Sequence, residues 1–160
     1  MPADGQAAPA WNIRSFRAND VKSLANILQD AAEAAQWPLE SYERMAGLPG
    51  AVALVCEAGN RLTGFLIARQ VADEAEVLNL AVLTGARRKG QASALLVAAF
   101  DQFRRLGVTR AFLEVRESNQ PAIAFYRKHG FTPTGRRNAY YRDPVEDALC
   151  LQKQLATDAG

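Results

Sequence analysis

A chain of 160 residues can bury the core of one domain, and its 49% hydrophobic and 22% charged residues are globular values. A net charge of +2 is too small to imply a nucleic-acid partner, so basic residues matter only where they cluster. No stretch approaches the roughly 20 apolar residues of a membrane helix, and Cys56 and Cys150, inside apolar runs and without metal-ligand spacing, read as reduced, buried thiols.

Residues 1–10 are rich in Ala, Pro and Gly and should be loosely ordered; they have neither the basic start nor the apolar run of a secretory signal, so a cytoplasmic location is expected. The folded domain is expected over residues 11–156. Trp11 to Arg17 alternates apolar and polar residues, as a first strand does. Asn19 or Asp20 suits the cap of a helix whose stripe is Val21, Leu24, Ile27 or Leu28, and Ala31. Trp37-Pro38 ends it, and Pro38 opens a short helix over Leu39 to Met45. After the turn at Leu48-Pro49-Gly50, Ala51 to Glu57 and Leu62 to Val71 read as strands joined at Gly59-Asn60, a hairpin signal.

Asp73-Glu74 turns the chain into an apolar run, Ala75 to Leu83, which reads as a buried central strand. A basic segment comes next, Arg87-Arg88-Lys89-Gly90-Gln91-Ala92, and then helical spacing from Ser93 to Leu106. A strand that feeds a glycine loop into a helix exposes unpaired N–H groups at the positive end of the helix dipole, where an anion is favoured. A phosphate or pyrophosphate cradle and a solvated basic turn both fit this segment. Neither the Gly-Lys-Ser/Thr ending of a P-loop nor Gly-x-Gly-x-x-Gly is present.

Gly107 falls where a left-handed helix cap belongs, and Thr109 to Arg116 is the next strand, with Phe112 and Glu114 on one face and Leu113 and Val115 on the other. Ser118 or Asn119 caps a helix with Pro121 in its first turn, running to His129 and ended by Gly130. Pro133 to Tyr141 and Val145 to Gln154 form a closing pair of strands. The expected fold is α/β (α+β): one domain with a mixed, mostly antiparallel sheet of about seven strands and helices on both faces.

Several side chains have two readings on their own. Glu114 is either a base or a strand carboxylate paired with Arg116 on the same face. Tyr126 is either core or a hydroxyl donor. Arg136, Arg137, Tyr140 and Tyr141 line an acceptor groove or form an exposed basic turn, and Trp37 and Tyr42 share that ambiguity. His129, the only histidine, belongs at a helix C-terminus as a cap, which gives little support to a Ser-His-Asp or Cys-His nucleophile.

Arg87-x-x-Gly90-x-Ala92 matches the Arg/Gln-x-x-Gly-x-Gly/Ala acyl-CoA motif, and from about Ile13 to Leu155 the chain resembles the GNAT family of acetyl-coenzyme A-dependent N-acetyltransferases. Leu78 to Val82, Phe112 to Arg116, Ser118-Asn119, Ala124-Phe125-Tyr126, Gly130-Phe131 and Arg136 to Tyr141 resemble its bacterial branch that acetylates N-terminal alanine of ribosomal proteins. The chain departs from the pattern at Ala92 (usually glycine), at Gln91 (usually aliphatic), at Trp37-Pro38 (the proline follows the tryptophan) and at Ala139, inserted into Arg-Arg-Asn-Tyr-Tyr.

The resemblance implies acetyl-CoA as co-substrate, no metal, and no direct nucleic-acid or membrane partner. It implies that the backbone of Leu80, Ala81 and Val82 meets the pantetheine arm and acetyl carbonyl. Arg87, Arg88, Lys89, Gly90, Gln91 and Ala92 would hold the pyrophosphate, and Asn119 the coenzyme arm. Glu114 would be the general base and Tyr126 the general acid, with Trp37, Arg136, Tyr140 and Tyr141 towards the acceptor. The expected reaction moves acetyl to the N-terminal α-amino group, alanine first, of a protein, and a ribosomal one. A small amine or lysine acceptor, or a CoA-binding module without turnover, are the alternatives.

Overall fold

The computed structural model describes residues 10–31 and 34–156, so the loose segment expected at residues 1–10 lies, apart from Ala10, outside the described residues. The elements run as β1 (Asn12–Ser15), α1 (Val21–Asp30), α2 (Leu39–Ala46), β2 (Ala51–Ala58), β3 (Arg61–Val71), β4 (Glu74–Val82), α3 (Gln91–Arg105), β5 (Arg110–Arg116), α4 (Gln120–Lys128), β6 (Thr132–Tyr141) and β7 (Glu146–Gln154). The strands form one sheet in the order β1-β2-β3-β4-β5-β7-β6. Every neighbouring pair is antiparallel except β4 and β5, which are parallel because α3 carries the chain back between them. The mixed sheet expected from the sequence is therefore the observed one.

Side-chain alternation in β3 shows where the helices lie. Phe65 meets Tyr42 of α2 edge to face at 5.6 Å between ring centres. A Cβ built on its neighbour Gly64 would come within 3.3 Å of Leu95 of α3. Adjacent strand residues point to opposite faces, so α1 and α2 cover one face and α3 the other. α4 joins α3: Phe131, just beyond α4, stacks near Phe100 at 6.0 Å, and His129 reaches Ser93. This double cover is why Leu62 to Ala68 of β3 are all buried and read as one apolar run.

Local chemistry departs from expectation at two places. Neither Asn19 nor Asp20 caps α1 through its side chain. Asp20 instead accepts hydrogen bonds from the Arg17 N–H at 2.7 Å and from the Arg14 guanidinium at 2.8 and 2.9 Å. That ion pair holds the Asp20 carboxyl below the usual range. Cys56 is buried as expected, whereas Cys150 is only half-buried. Among the described residues no helix is long and apolar enough to cross a membrane.

Two irregularities interrupt the sheet beside its centre. The pairing of β4 with β5 stops after Glu76–Phe112, so the two strands part from Val77 and Leu113 onward. In the β3–β4 ladder, Ile67 pairs with Asn79 and Ala68 with Val77, which leaves Leu78 as a bulge.

Candidate active site

The parting of β4 and β5 opens a cavity of about 780 Å³ through the sheet. On the α3 and α4 side it is lined by Leu113, Asn119, Ala122 and Tyr126; on the other side by Trp37, Glu76, Glu114, Tyr140 and Tyr141. Leu80, Ala81 and Val82 line it along the edge of β4 that has lost its β5 partner. Backbone groups on such an edge are free to bond a ligand.

At the α3 end the basic loop is built as an anion site. Gly90 precedes α3 with φ of +83°, and a Cβ there would meet nothing, so backbone torsion rather than crowding requires the glycine. The first helical bond runs from the Ala94 N–H to the Gly90 carbonyl at 2.9 Å, which leaves the N–H groups of Gln91, Ala92 and Ser93 without partners among the described residues. Arg87 and Ala92 line the cavity, and the Arg87 Nε donates to the Val82 carbonyl at 3.1 Å, tying the loop to the end of β4. Arg88 (φ +64°) and Lys89 are exposed beside it. The Gln91 side chain turns inward and accepts a 2.7 Å hydrogen bond from the buried Thr63 hydroxyl. Only its backbone faces the anion position, which explains how a polar residue stands where the family prefers an aliphatic one.

The carboxylates gather where β4 and β5 part. Glu114 is ion-paired with Arg137, Oε1 to Nε at 2.6 Å, with side chains 12% and 60% exposed respectively. The partner expected from the sequence, Arg116, is elsewhere. Its guanidinium bonds Glu146 at 3.3 Å and lies 4.4 Å from the centre of the Tyr141 ring. The Glu114 carboxylate, with some burial, raises the pKa of Tyr140; burial, chiefly, pushes Tyr141 up to about 12. Glu76 lines the cavity as well, and burial first and the Glu114 charge second raise its carboxyl above the ordinary value. No sequence motif singles out Glu76; it shares a face with Glu114 because it pairs in register with Phe112.

Tyr126 lies on α4 with 9% of its surface exposed, against Phe125 and Phe131, and its hydroxyl has no partner among the described residues. Burial raises its pKa well above that of an ordinary tyrosine. Asn119 caps α4: its Oδ1 accepts from the Ala122 N–H at 3.2 Å. The His129 ring does not turn to the last carbonyls of α4; its Nε2 lies 2.9 Å from the Ser93 hydroxyl at the start of α3. Burial, then Lys128 and Lys153, lower its pKa.

On the opposite wall, Trp37 leans on the buried Tyr42 at 4.9 Å. Tyr42 donates to the Ala35 carbonyl at 2.6 Å, and Asn79 Nδ2 donates to the same carbonyl at 3.0 Å and to the Tyr42 oxygen at 2.9 Å. This buried network pins residues 34–38 to β4. Asp30, at the end of α1, accepts from the Thr84 N–H at 2.6 Å and its hydroxyl at 3.0 Å, pinning the other end of the connection after β4. Arg136, expected at the acceptor groove, is not part of the cavity wall; it pairs with Glu117 and, at 3.6 Å, with Asp147. The inserted Ala139 is absorbed by a bulge between the Arg137–Ala148 and Tyr141–Glu146 pairs, with its φ at +50° and its N–H donating to Asp147 at 2.8 Å.

A passage through the sheet between parting parallel strands, with an anion-ready helix start at one end and carboxylates at the other, defines an acyltransferase that takes its acyl group from a phosphorylated carrier. Residues 21–131 match the Acetyltransferase (GNAT) family, and the chain belongs to it as an acetyl-CoA-dependent N-acetyltransferase. It is 33% identical over 141 residues to the [ribosomal protein bS18]-alanine N-acetyltransferase of Escherichia coli K12, covering 87% of this chain and 94% of that one. The crystal structure of the ribosomal-protein-S18-alanine N-acetyltransferase from Escherichia coli superposes with a TM-score of 0.82 at 29% identity, over 94% of this chain and 96% of that chain. That of Ard1 from Thermoplasma volcanium gives 0.81 at 28% identity, over 92% and 99%.

Proposed function

We propose that the protein acetylates the N-terminal α-amino group of a protein chain, with alanine first and a ribosomal protein as acceptor, and that it does so in the cytoplasm. The observation that carries this reading is the passage itself, which connects the anion-ready start of α3 to a carboxylate-lined mouth under Trp37 and Tyr140. The likeness to the Escherichia coli enzyme over nearly its whole length supports the acceptor class.

The chemistry is consistent with an α-amine. An amine attacks a thioester only when neutral. At pH 7 deprotonation costs about 1–1.4 kcal/mol for a chain terminus of pKa about 7.7–8.0, and about 4.6 kcal/mol for lysine. A half-buried carboxylate is an adequate base for the first and a poor one for the second. On the donor side, the pyrophosphate of acetyl-CoA would lie on the N–H groups of Gln91, Ala92 and Ser93, with Arg87, Arg88 and Lys89 around it. The arm would run along the open edge of Leu80, Ala81 and Val82 past the Asn119 amide. Tyr126 would face the sulfur. Proton transfer from a phenol of pKa about 10 to a thiolate of about 8.5 is uphill by about 2 kcal/mol, and burial of Tyr126 steepens it. Tyr126 therefore acts as a hydrogen-bond donor to the departing thiolate, with protonation coming after. The amine attacks directly, without an acyl-enzyme.

The test is incubation with acetyl-CoA and peptides carrying an N-terminal Ala, a blocked terminus or an internal lysine, with mass spectrometry to locate the acetyl group. Acetylation of the free N-terminus is expected. Modification of lysine alone, or of small amines alone, overturns the acceptor reading.

A further inference from the structure

We propose that Thr63 is a positioning residue for the coenzyme: its hydroxyl holds the Gln91 side chain inside the fold and so keeps the first N–H groups of α3 aimed at the pyrophosphate. The proposal rests on the placement of the pyrophosphate given above and is independent of the acceptor.

Thr63 owes its reach to a break in the β2–β3 ladder. Cys56 pairs with Gly64 and Glu57 with Leu62, which leaves Thr63 as a bulge. In an unbroken strand two successive residues face opposite ways. Here both meet α3: the Thr63 hydroxyl donates to Gln91 Oε1 at 2.7 Å, and a Cβ built on Gly64 would come within 3.3 Å of Leu95. The hydroxyl has one proton, and its other acceptor, the Cys56 carbonyl, is farther away at 3.4 Å. Thr63 also grips the opposite end of the basic loop, because its carbonyl accepts from the Leu83 N–H at 2.8 Å. One residue of β3 therefore fastens the chain on both sides of residues 84–90.

On the α3 side of that loop, Arg88, Lys89 and Gly90 are exposed, and Gln91 is the first buried residue after them, at 4% exposure against 7% for Thr63. The N–H groups of a first helical turn have no internal partners, so the turn depends on its side chains for a fixed orientation. Gln91 is held by Thr63, and Ser93 is held by His129, just beyond α4, at 2.9 Å. Without the Thr63 hydroxyl the Gln91 amide oxygen is buried with no donor, an unfavourable state. It is relieved by turning residue 91 outward, into the space over the helix start where the pyrophosphate would lie.

The test measures acetyl-CoA affinity by calorimetry in Thr63→Val, Thr63→Ser and Thr63→Val/Gln91→Leu. Alongside, kcat/KM is compared for acetyl-CoA and for S-acetyl-pantetheine, which lacks the pyrophosphate, on whichever acceptor the wild type modifies. Thr63→Val keeps the size of the side chain and removes only the donor. It should raise the acetyl-CoA Kd about 3- to 10-fold, the effect of one hydrogen bond, and lower kcat/KM for acetyl-CoA in step while that for acetyl-pantetheine holds. Thr63→Ser retains the hydroxyl and should retain the wild-type Kd. In the double variant residue 91 needs no donor, so the Kd should return to within threefold of wild type. A Kd raised less than threefold in Thr63→Val overturns the proposal, as does failure of either Thr63→Ser or the double variant to hold the wild-type Kd. An equal loss with both donors also overturns it and gives Thr63 a general structural role. A wild type with equal kcat/KM for the two donors refutes the pyrophosphate cradle itself, and the proposal with it; a wild type that prefers acetyl-CoA beside an unaltered Thr63→Val refutes the proposal alone.

Discussion

Tyr126→Phe separates catalysis from folding unusually well. The ring packs against Phe125 at 5.2 Å and Phe131 at 5.5 Å, and phenylalanine keeps both contacts. The hydroxyl bonds nothing among the described residues, so its removal leaves no buried partner unpaired and should change stability by no more than about 0.5 kcal/mol. In the transition state proposed above the same hydroxyl would meet a sulfur gaining negative charge, and a hydrogen bond to a charged group contributes about 1.5–3 kcal/mol. At about 1.36 kcal/mol per tenfold, kcat should fall about 10- to 150-fold. The bond forms only as the C–S bond breaks, so the KM for acetyl-CoA should stay constant. Thiol release measured with an Ala-first peptide gives kcat and KM, and a thermal melt monitors the fold. Tyr126→Phe with kcat within twofold of wild type removes Tyr126 from the reaction; a matching fall in Tm assigns the loss to packing instead.

Charge reversal at Arg87 and Arg88 should raise the KM for acetyl-CoA at least tenfold, the effect of losing about 1.5–3 kcal/mol of charge-assisted bonding, while kcat at saturation stays within threefold; an unchanged KM refutes the anion cradle. Asn79→Leu strips the Ala35 carbonyl and the Tyr42 oxygen of a buried donor, a cost of about 1–3 kcal/mol that should lower Tm by about 2–4 °C per kcal/mol. The acceptor KM should rise with it, because residues 34–38 lose their anchor. Because the fold depresses the pKa of His129, it favours the neutral ring. Stability should therefore be full above the unfolded value of about 6.5 and fall as pH drops from there to the folded pKa. His129→Gln should flatten that segment of a denaturation-against-pH series, and an unaltered slope places the titrating group elsewhere.

Most of the fold is legible locally because its signals are local. The α1 stripe, the Gly59-Asn60 hairpin and Gly107 with φ of +82° depend on residues within a turn of one another, and the elements begin and end within two residues of expectation, except that α1 stops at Asp30, well before the Trp37-Pro38 expected to end it. The donor loop is legible for the same reason, since the free N–H groups of α3 result from where the helix starts. Side-chain contacts across the chain are not. Asp20 has a helix to cap but bonds Arg14, because a guanidinium six residues earlier is brought beside it when β1 pairs with β2.

The proposed acceptor half is hidden by two pairings that no periodicity records. Reading β4 as a plain alternation sets Glu76 and Asn79 on opposite faces, and only the Leu78 bulge against Ile67 and Ala68 reunites them. Likewise, Arg116 sits two residues from Glu114 on the same face, so sequence favours that pair. The sheet order β5-β7-β6 brings Arg137 from two strands away, and the first residue of β7, Glu146, offers Arg116 a competing partner. Which arginine neutralises Glu114 is thus settled by strand order, and that choice leaves Glu76 as the unpaired carboxylate at the mouth of the passage.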